Sequence, residues 1–127
     1  MCSRQTPDAA TEEQQHTQNN TKKQEASLGV VRKGIAMFEK VNVPILGIVE
    51  NMSYFTAPNG ERVEIFGHGG GQAEAARQNI PFLGEVPIFT EIREAGDCGV
   101  PIVVSAPQKP AGRAFVQIAE ALRKNLA

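Results

Sequence analysis

Asn51 stands just past the apolar run from Pro44 to Val49, after Glu50 and with Met52 beside it, and after a polar insert comes a glycine cluster, Gly67-His68-Gly69-Gly70-Gly71. In open parallel α/β sheets the ligand crevice lies just beyond the carboxyl ends of the strands. A carboxamide there carries both donors and an acceptor, so it can match the edge of a purine. The same Asn can instead satisfy the backbone of a local turn, and the local sequence leaves both roles open. Pro87 and Ile88 stand at the matching end of a second apolar stretch, "PFLGEVP", where they form either an apolar wall for a base or a plain strand terminator.

The glycine cluster invites comparison with a phosphate cradle, because a glycine loop opening a helix presents backbone N–H groups to an anion. It lacks the GK[ST] ending of a P-loop and the spacing of a dinucleotide fingerprint, which favours a flexible helix entry. His68 has no second ligand at metal-binding spacing. Arg93, Glu94 and Asp97 share a short helical segment, where i,i+4 pairing on a solvated face is the default. Cys2 and Cys98 form neither a disulfide framework nor a metal quartet, so free thiols are expected. No nucleophile–base or paired acid/base arrangement stands out.

The elements that position these residues follow from periodicity. Met1 to Glu25 is Gln, Asn, Thr and charge, with too little to bury to offset the entropy of ordering, and is expected to be a disordered polar tail. Residues 26–127 are expected to form the domain. Leu28, Val31, Ile35 and Phe38 lie on one face of an amphipathic helix that Ser27 could cap. "PILGIV" suits a parallel strand covered on both faces. "APNGERVEIF" predicts a hairpin turning at Asn59-Gly60. A short helix over "QAEAARQN", a strand over "PFLGEVP", a helix over "TEIREAGDCG", an extended piece over "PIVVSAP" and a final amphipathic helix complete an α/β order. Two parallel strands make a narrow sheet for such apolar sequences, so the chain reads as half of a larger fold.

Bulk properties narrow the partners. A chain of 127 residues with a formal net charge of −1 has no field to gather nucleic acid or anionic lipid. No apolar run approaches the roughly 20 residues of a membrane span, and the polar N-terminus lacks a signal-peptide core. A cytoplasmic location without nucleic-acid or membrane partners is expected.

From about Gln24 onward the chain resembles the C-terminal half of the Mrp/ApbC family of P-loop ATPases that carry iron-sulfur clusters. "GIVENMS", "IFGHGG" and "IREAGDCGVPIV", in this order, carry the resemblance. It implies a partial P-loop NTPase fold of the MinD-like, deviant-Walker kind: the C-terminal half of a mostly parallel sheet flanked by helices. It further implies ATP as ligand, a base-contacting role for Asn51 and Met52, and a base-lining role for Pro87 and Ile88. Iron-sulfur client proteins, and a homodimer or full-length paralogue, are the partners it implies. Phosphates in the family are held by an N-terminal P-loop, so the glycine cluster becomes structural.

Three departures limit the carry-over. No segment supplies the Walker A lysines or the acidic metal-handling motifs, so no appreciable ATP hydrolysis is expected from this chain alone. Many members carry Cys-Pro-x-Cys after the "NMSYF" segment, whereas here the text is Ala57-Pro58-Asn59-Gly60, which rules out thiolate ligation at that place. Finally, Lys22-Lys23 replaces the usual Thr-Pro before the Gln, as in a truncated or altered gene product. The expected function is that of an ATP-binding iron-sulfur assembly protein lacking its phosphate side. The alternatives are a non-catalytic module docking on a full-length paralogue and a non-functional fragment.

Overall fold

The computed structural model describes residues 9–64, 67 and 69–127, with side chains from residue 24 onward. Its elements are α1 (Ala9–Lys40), β1 (Ile48–Thr56), β2 (Arg62–Glu64), α2 (Gly70–Gln78), β3 (Phe82–Ile88), α3 (Thr90–Asp97), α4 (Ile102–Ser105) and α5 (Pro110–Leu126). The three strands form one mixed sheet in the order β2-β1-β3. β3 runs parallel to β1, and β2 runs antiparallel to it.

Helix α1 differs from the expected polar tail, because its backbone is helical from Ala9 through the position where the tail was to end. The tail is rich in Ala, Gln, Glu and Lys, which bury little but are good helix formers. Once Leu28, Val31 and Ile35 anchor the downstream turns, propagation upstream adds one hydrogen bond per residue fixed. Ser27 consequently lies inside the helix and does not cap it. Residues 1–8, including Cys2, lie outside the described residues, as do Ile65, Phe66 and His68.

Strand β1 also departs from expectation. Residues 44–47 make no ladder, and pairing starts where the Ile48 N–H donates to the Pro81 carbonyl at 2.8 Å. The strand then continues through Asn51 to Thr56 and turns at Ala57–Gly60, where Gly60 N–H donates to the Ala57 carbonyl at 2.8 Å. The hairpin expected at Asn59-Gly60 is therefore present, and its return strand makes the sheet mixed. Cover on both faces is seen for β3, where Val86 is buried, but β1 leaves Val49, Met52 and Phe55 substantially exposed. Pro87 does not end its strand; it lies inside β3, where the register jumps from Asn51↔Val86 to Phe55↔Ile88. A missing N–H is tolerated where the ladder is already interrupted. The segment expected to be extended, "PIVVSAP", forms the single helical turn α4 after Pro101.

Helix α5 packs on β3 through Ile118, which approaches Gly84. Gly84 has φ +146°, and a Cβ there would sit 3.0 Å from Ile118 Cγ1. Backbone strain and crowding act together at this position. Gly84→Ala is expected to cost about 2 kcal/mol, read as a lowered urea midpoint at unchanged slope.

Candidate functional site

The parallel register brings Asn51 opposite Val86, the neighbour of Pro87, at the carboxyl end of the continuous β1–β3 ladder. Immediately afterwards Met52 takes the left-handed conformation, with φ 54°. The Met52 N–H donates to Asn51 Oδ1 at 2.9 Å, a local side-chain bond of the kind Asn makes at turns. Of the two roles weighed for Asn51, the satisfaction of local backbone is the one this bond makes. Its oxygen satisfies local backbone, while its NH2 group has no partner among the described residues and Asn51 is exposed. In this state it can donate to a base but offers a diminished acceptor.

Two cavities flank this point. One of about 230 Å³ lies between α1, β1 and α2 and is lined by Leu28, Val31, Val49, Asn51, Met52 and Glu74 among others. Its size falls below the roughly 300–1,000 Å³ of sites for drug-sized ligands, so it accommodates a base or side chains and not a whole nucleotide. The other, about 310 Å³, opens at the carboxyl end of β3 and is lined by Tyr54, Glu85, Pro87, Phe89, Arg113 and Gln117, with contributions from α5. Asn51 and Met52 therefore face one cavity and Pro87 the other. Ile88 pairs with Phe55 across the ladder and is half-buried.

Several side chains here are absent from the sequence reading. Glu74, on α2, is buried, and both its oxygens are engaged by Arg32 of α1, through Nε and through Nη2, each at 2.9 Å. Gln78 Nε2 donates to the same carboxylate at 2.9 Å and Arg77 Nη1 at 3.4 Å. The Arg32 guanidinium, with Gln78 second, holds the Glu74 carboxyl at about 2, against the opposing effect of burial. A carboxylate so occupied and so weakly basic cannot serve as a general base; it clamps α2 to α1. Arg77 at i+3 and Gln78 at i+4 were the visible signal, although nothing local says that Glu74 faces inward.

At the hairpin, the Arg62 guanidinium lies 3.7 Å from the centroid of the Tyr54 ring, bonds Glu64 at 2.6 Å and reaches Glu85 at 3.4 Å. Stacked and paired in this way, Arg62 ties the return strand β2 to Tyr54 of β1 and, across β1, to Glu85 of β3.

The glycine cluster opens α2, with Gly69 at φ 73° before the first helical residue, Gly70, as expected of a helix entry. Its His68 lies outside the described residues. Arg93 and Asp97 approach at 3.7 Å on α3, both well exposed. Among the described residues no group of three or more His, Cys, Asp or Glu converges as metal ligands. Cys98, after α3, is an exposed free thiol, and the turn at residues 57–60 offers no sulfur. This donor set does not fit an iron-sulfur cluster. No described helix is long and apolar enough to cross a membrane.

Residues 14–123 match a family model described as ParA, NUBPL iron-transfer P-loop NTPase. The iron-sulfur cluster transfer protein NUBPL of Dictyostelium discoideum is 45% identical over 104 residues, covering 81% of this chain and 32% of that protein. An iron-sulfur cluster carrier protein of Synechocystis is 45% identical over 102 residues, covering 79% of this chain and 29% of the carrier. A mitochondrial iron-sulfur protein required for NADH dehydrogenase, from Arabidopsis thaliana, is 43% identical over 104 residues, covering 81% and 33% respectively. The chain spans about a third of the length of these relatives.

Proposed function

The chain belongs to the NUBPL-type iron-transfer P-loop NTPase family, and on that premise we propose that it forms the base-side wall of a nucleotide site in an iron-sulfur cluster carrier. The fold is then part of a MinD-like, deviant-Walker NTPase, with the phosphate side outside these 127 residues. The observation that carries this reading is the exposed Asn51, at the end of the continuous parallel β1–β3 ladder and in register with Val86, the residue before Pro87. That is where an open parallel sheet receives its ligand.

In this reading Asn51 Nδ2 donates to a ring nitrogen of the adenine base. Met52 supplies apolar contact, and Pro87 and Ile88 stiffen the neighbouring strand end. With no Walker A lysine in the sequence, nothing is assigned to the β and γ phosphates or to Mg²⁺, and this chain alone does not turn over ATP. The relatives are named as carriers or transfer proteins for iron-sulfur clusters, and clients of that chemistry, in the cytoplasm, are the partners proposed here. No cluster step is assigned to residues 57–60, which hold no thiolate.

Calorimetry separates a base-side wall from a complete site. Adenosine and Mg-ATP are expected to bind with similar, weak affinity and no heat of turnover, because only the base is held. Asn51→Ala should weaken both about tenfold, the worth of one lost hydrogen bond to a ligand. Micromolar ATP binding far tighter than adenosine, with phosphate release, would sink the proposal.

A further inference from the structure

Between the paired residues Asn51↔Val86 and Phe55↔Ile88, β1 carries Met52, Ser53 and Tyr54 where β3 carries Pro87 alone. Proline donates no ladder hydrogen bond, so β3 holds this bulge weakly. Within it Met52 takes φ 54°, a left-handed conformation that a residue with a Cβ disfavours. Beside it Ser53 is 2% exposed, and its hydroxyl has no partner among the described residues. Strain of this kind persists only where the surroundings hold it, and what holds Met52 is one hydrogen bond, from its N–H to Asn51 Oδ1 at 2.9 Å.

That bond also fixes how the Asn51 carboxamide is turned. A backbone N–H is met by the oxygen and not by the NH2 group, so Oδ1 points back at the chain and Nδ2 points away from it. Reading adenine by two hydrogen bonds needs both ends side by side, with Nδ2 donating to a ring nitrogen and Oδ1 accepting from the exocyclic amine. While Met52 is left-handed, only the donor end is presented.

We propose that the backbone conformation of residue 52 sets the base selectivity of this site. In the left-handed form Asn51 donates one hydrogen bond to a purine ring nitrogen and leaves the amine unread. When residue 52 leaves that form, the carboxamide turns and reads both groups. Met52 is 50% exposed, so water takes its N–H on release. This role rests on the nucleotide reading of Asn51, and it makes Met52 a positioning residue that acts through its backbone, apart from any apolar contact of its side chain.

Calorimetry on the full chain with adenosine and with purine riboside, which lacks the amine, tests this role. The parent is expected to bind the two within about twofold of each other, because the amine is unread. Met52→Gly should keep that ratio, since glycine takes the left-handed form without strain. Met52→Ile, whose branched side chain disfavours the left-handed form, should favour adenosine about tenfold, the worth of one added hydrogen bond. A ratio of two ligands on one protein is not moved by a general loss of stability. Without any ligand, NMR of the parent should show a scalar coupling across the hydrogen bond from the Met52 amide nitrogen to the Asn51 side-chain carbonyl carbon, kept in Met52→Gly and lost in Met52→Ile.

A parent that prefers adenosine about tenfold, a parent without the coupling, or a folded Ile variant with the parent's ratio would each overturn the proposal. The parent ratio and the coupling need no variant. Asn51→Ala separates this role from the nucleotide reading: if it weakens adenosine binding while substitutions at residue 52 leave the ratio unchanged, the nucleotide reading stands and this role falls. If neither purine binds the parent, both fall.

Discussion

Glu74→Ala is expected to lower the melting temperature at neutral pH by roughly 5 to 10 °C, the range for loss of a hydrogen-bonded buried ion pair from a domain of this size. The substitution removes the acceptor for Arg32, Gln78 and Arg77 together, and it leaves the Arg32 guanidinium facing α2 without its bidentate partner. Arg32 is 32% exposed, so water recovers part of its solvation, and the effect stays below that of a fully enclosed charge. Removing Arg32 in the Glu74→Ala background should then add little, because the two act as one unit.

The same clamp predicts a pH dependence. Glu74 titrates at about 2 in the folded chain against an ordinary value of 4.5. A carboxyl depressed by folding adds stability that is complete above the unfolded value and is lost as pH falls towards the folded one. The melting-temperature gap between the parent and Glu74→Gln should therefore be constant above about pH 5 and shrink between pH 4.5 and 2. A gap that widens on acidification would mean that Glu74 is not ionised in the fold.

How far the sequence foretold this arrangement depends on whether the signal was local. α2, α3 and α5 sit close to where their sequence patterns placed them, β3 begins after Pro81 as expected but runs on through Pro87 to Ile88, and Asn59-Gly60 turned the hairpin as its chemistry requires. "PIVVSAP" failed because β-branched residues favour extended backbone only as a context-dependent tendency, and Pro101 is well suited to precede a helical turn. The upstream tail failed because Gln, Glu, Lys and Ala are common to disordered segments and to exposed helices. At the site, the exposure of Asn51 and its bond to the Met52 N–H needed the left-handed residue at 52, which no sequence pattern announced. The inward turn of Glu74 is set by where α1 crosses α2, a tertiary fact.

Gly112→Ala is expected to destabilise the chain by about 2–3 kcal/mol, although alanine is the better helix former. Gly112 is buried in the first turn of α5, and a Cβ there would collide with the Ala106 carbonyl oxygen while lying 3.0 Å from Pro107 Cα. These are backbone atoms and cannot rotate aside. The corner cannot simply open either, because the Ala106 carbonyl accepts the Lys109 N–H at 3.2 Å, and α4 packs on α5 through this turn. Relief therefore requires breaking the turn or displacing α5 from its seat on β3, and either exposes Ala111, which is 0% exposed in the fold. Gly34→Ala supplies the contrast. That glycine lies inside α1, and a methyl group there would meet nothing within 4 Å, so the propensity gain acts alone and should stabilise by up to about 1 kcal/mol. Opposite signs for the two substitutions in urea titrations would show that the α4–α5 corner is set by close backbone approach; a stabilising Gly112→Ala would refute it.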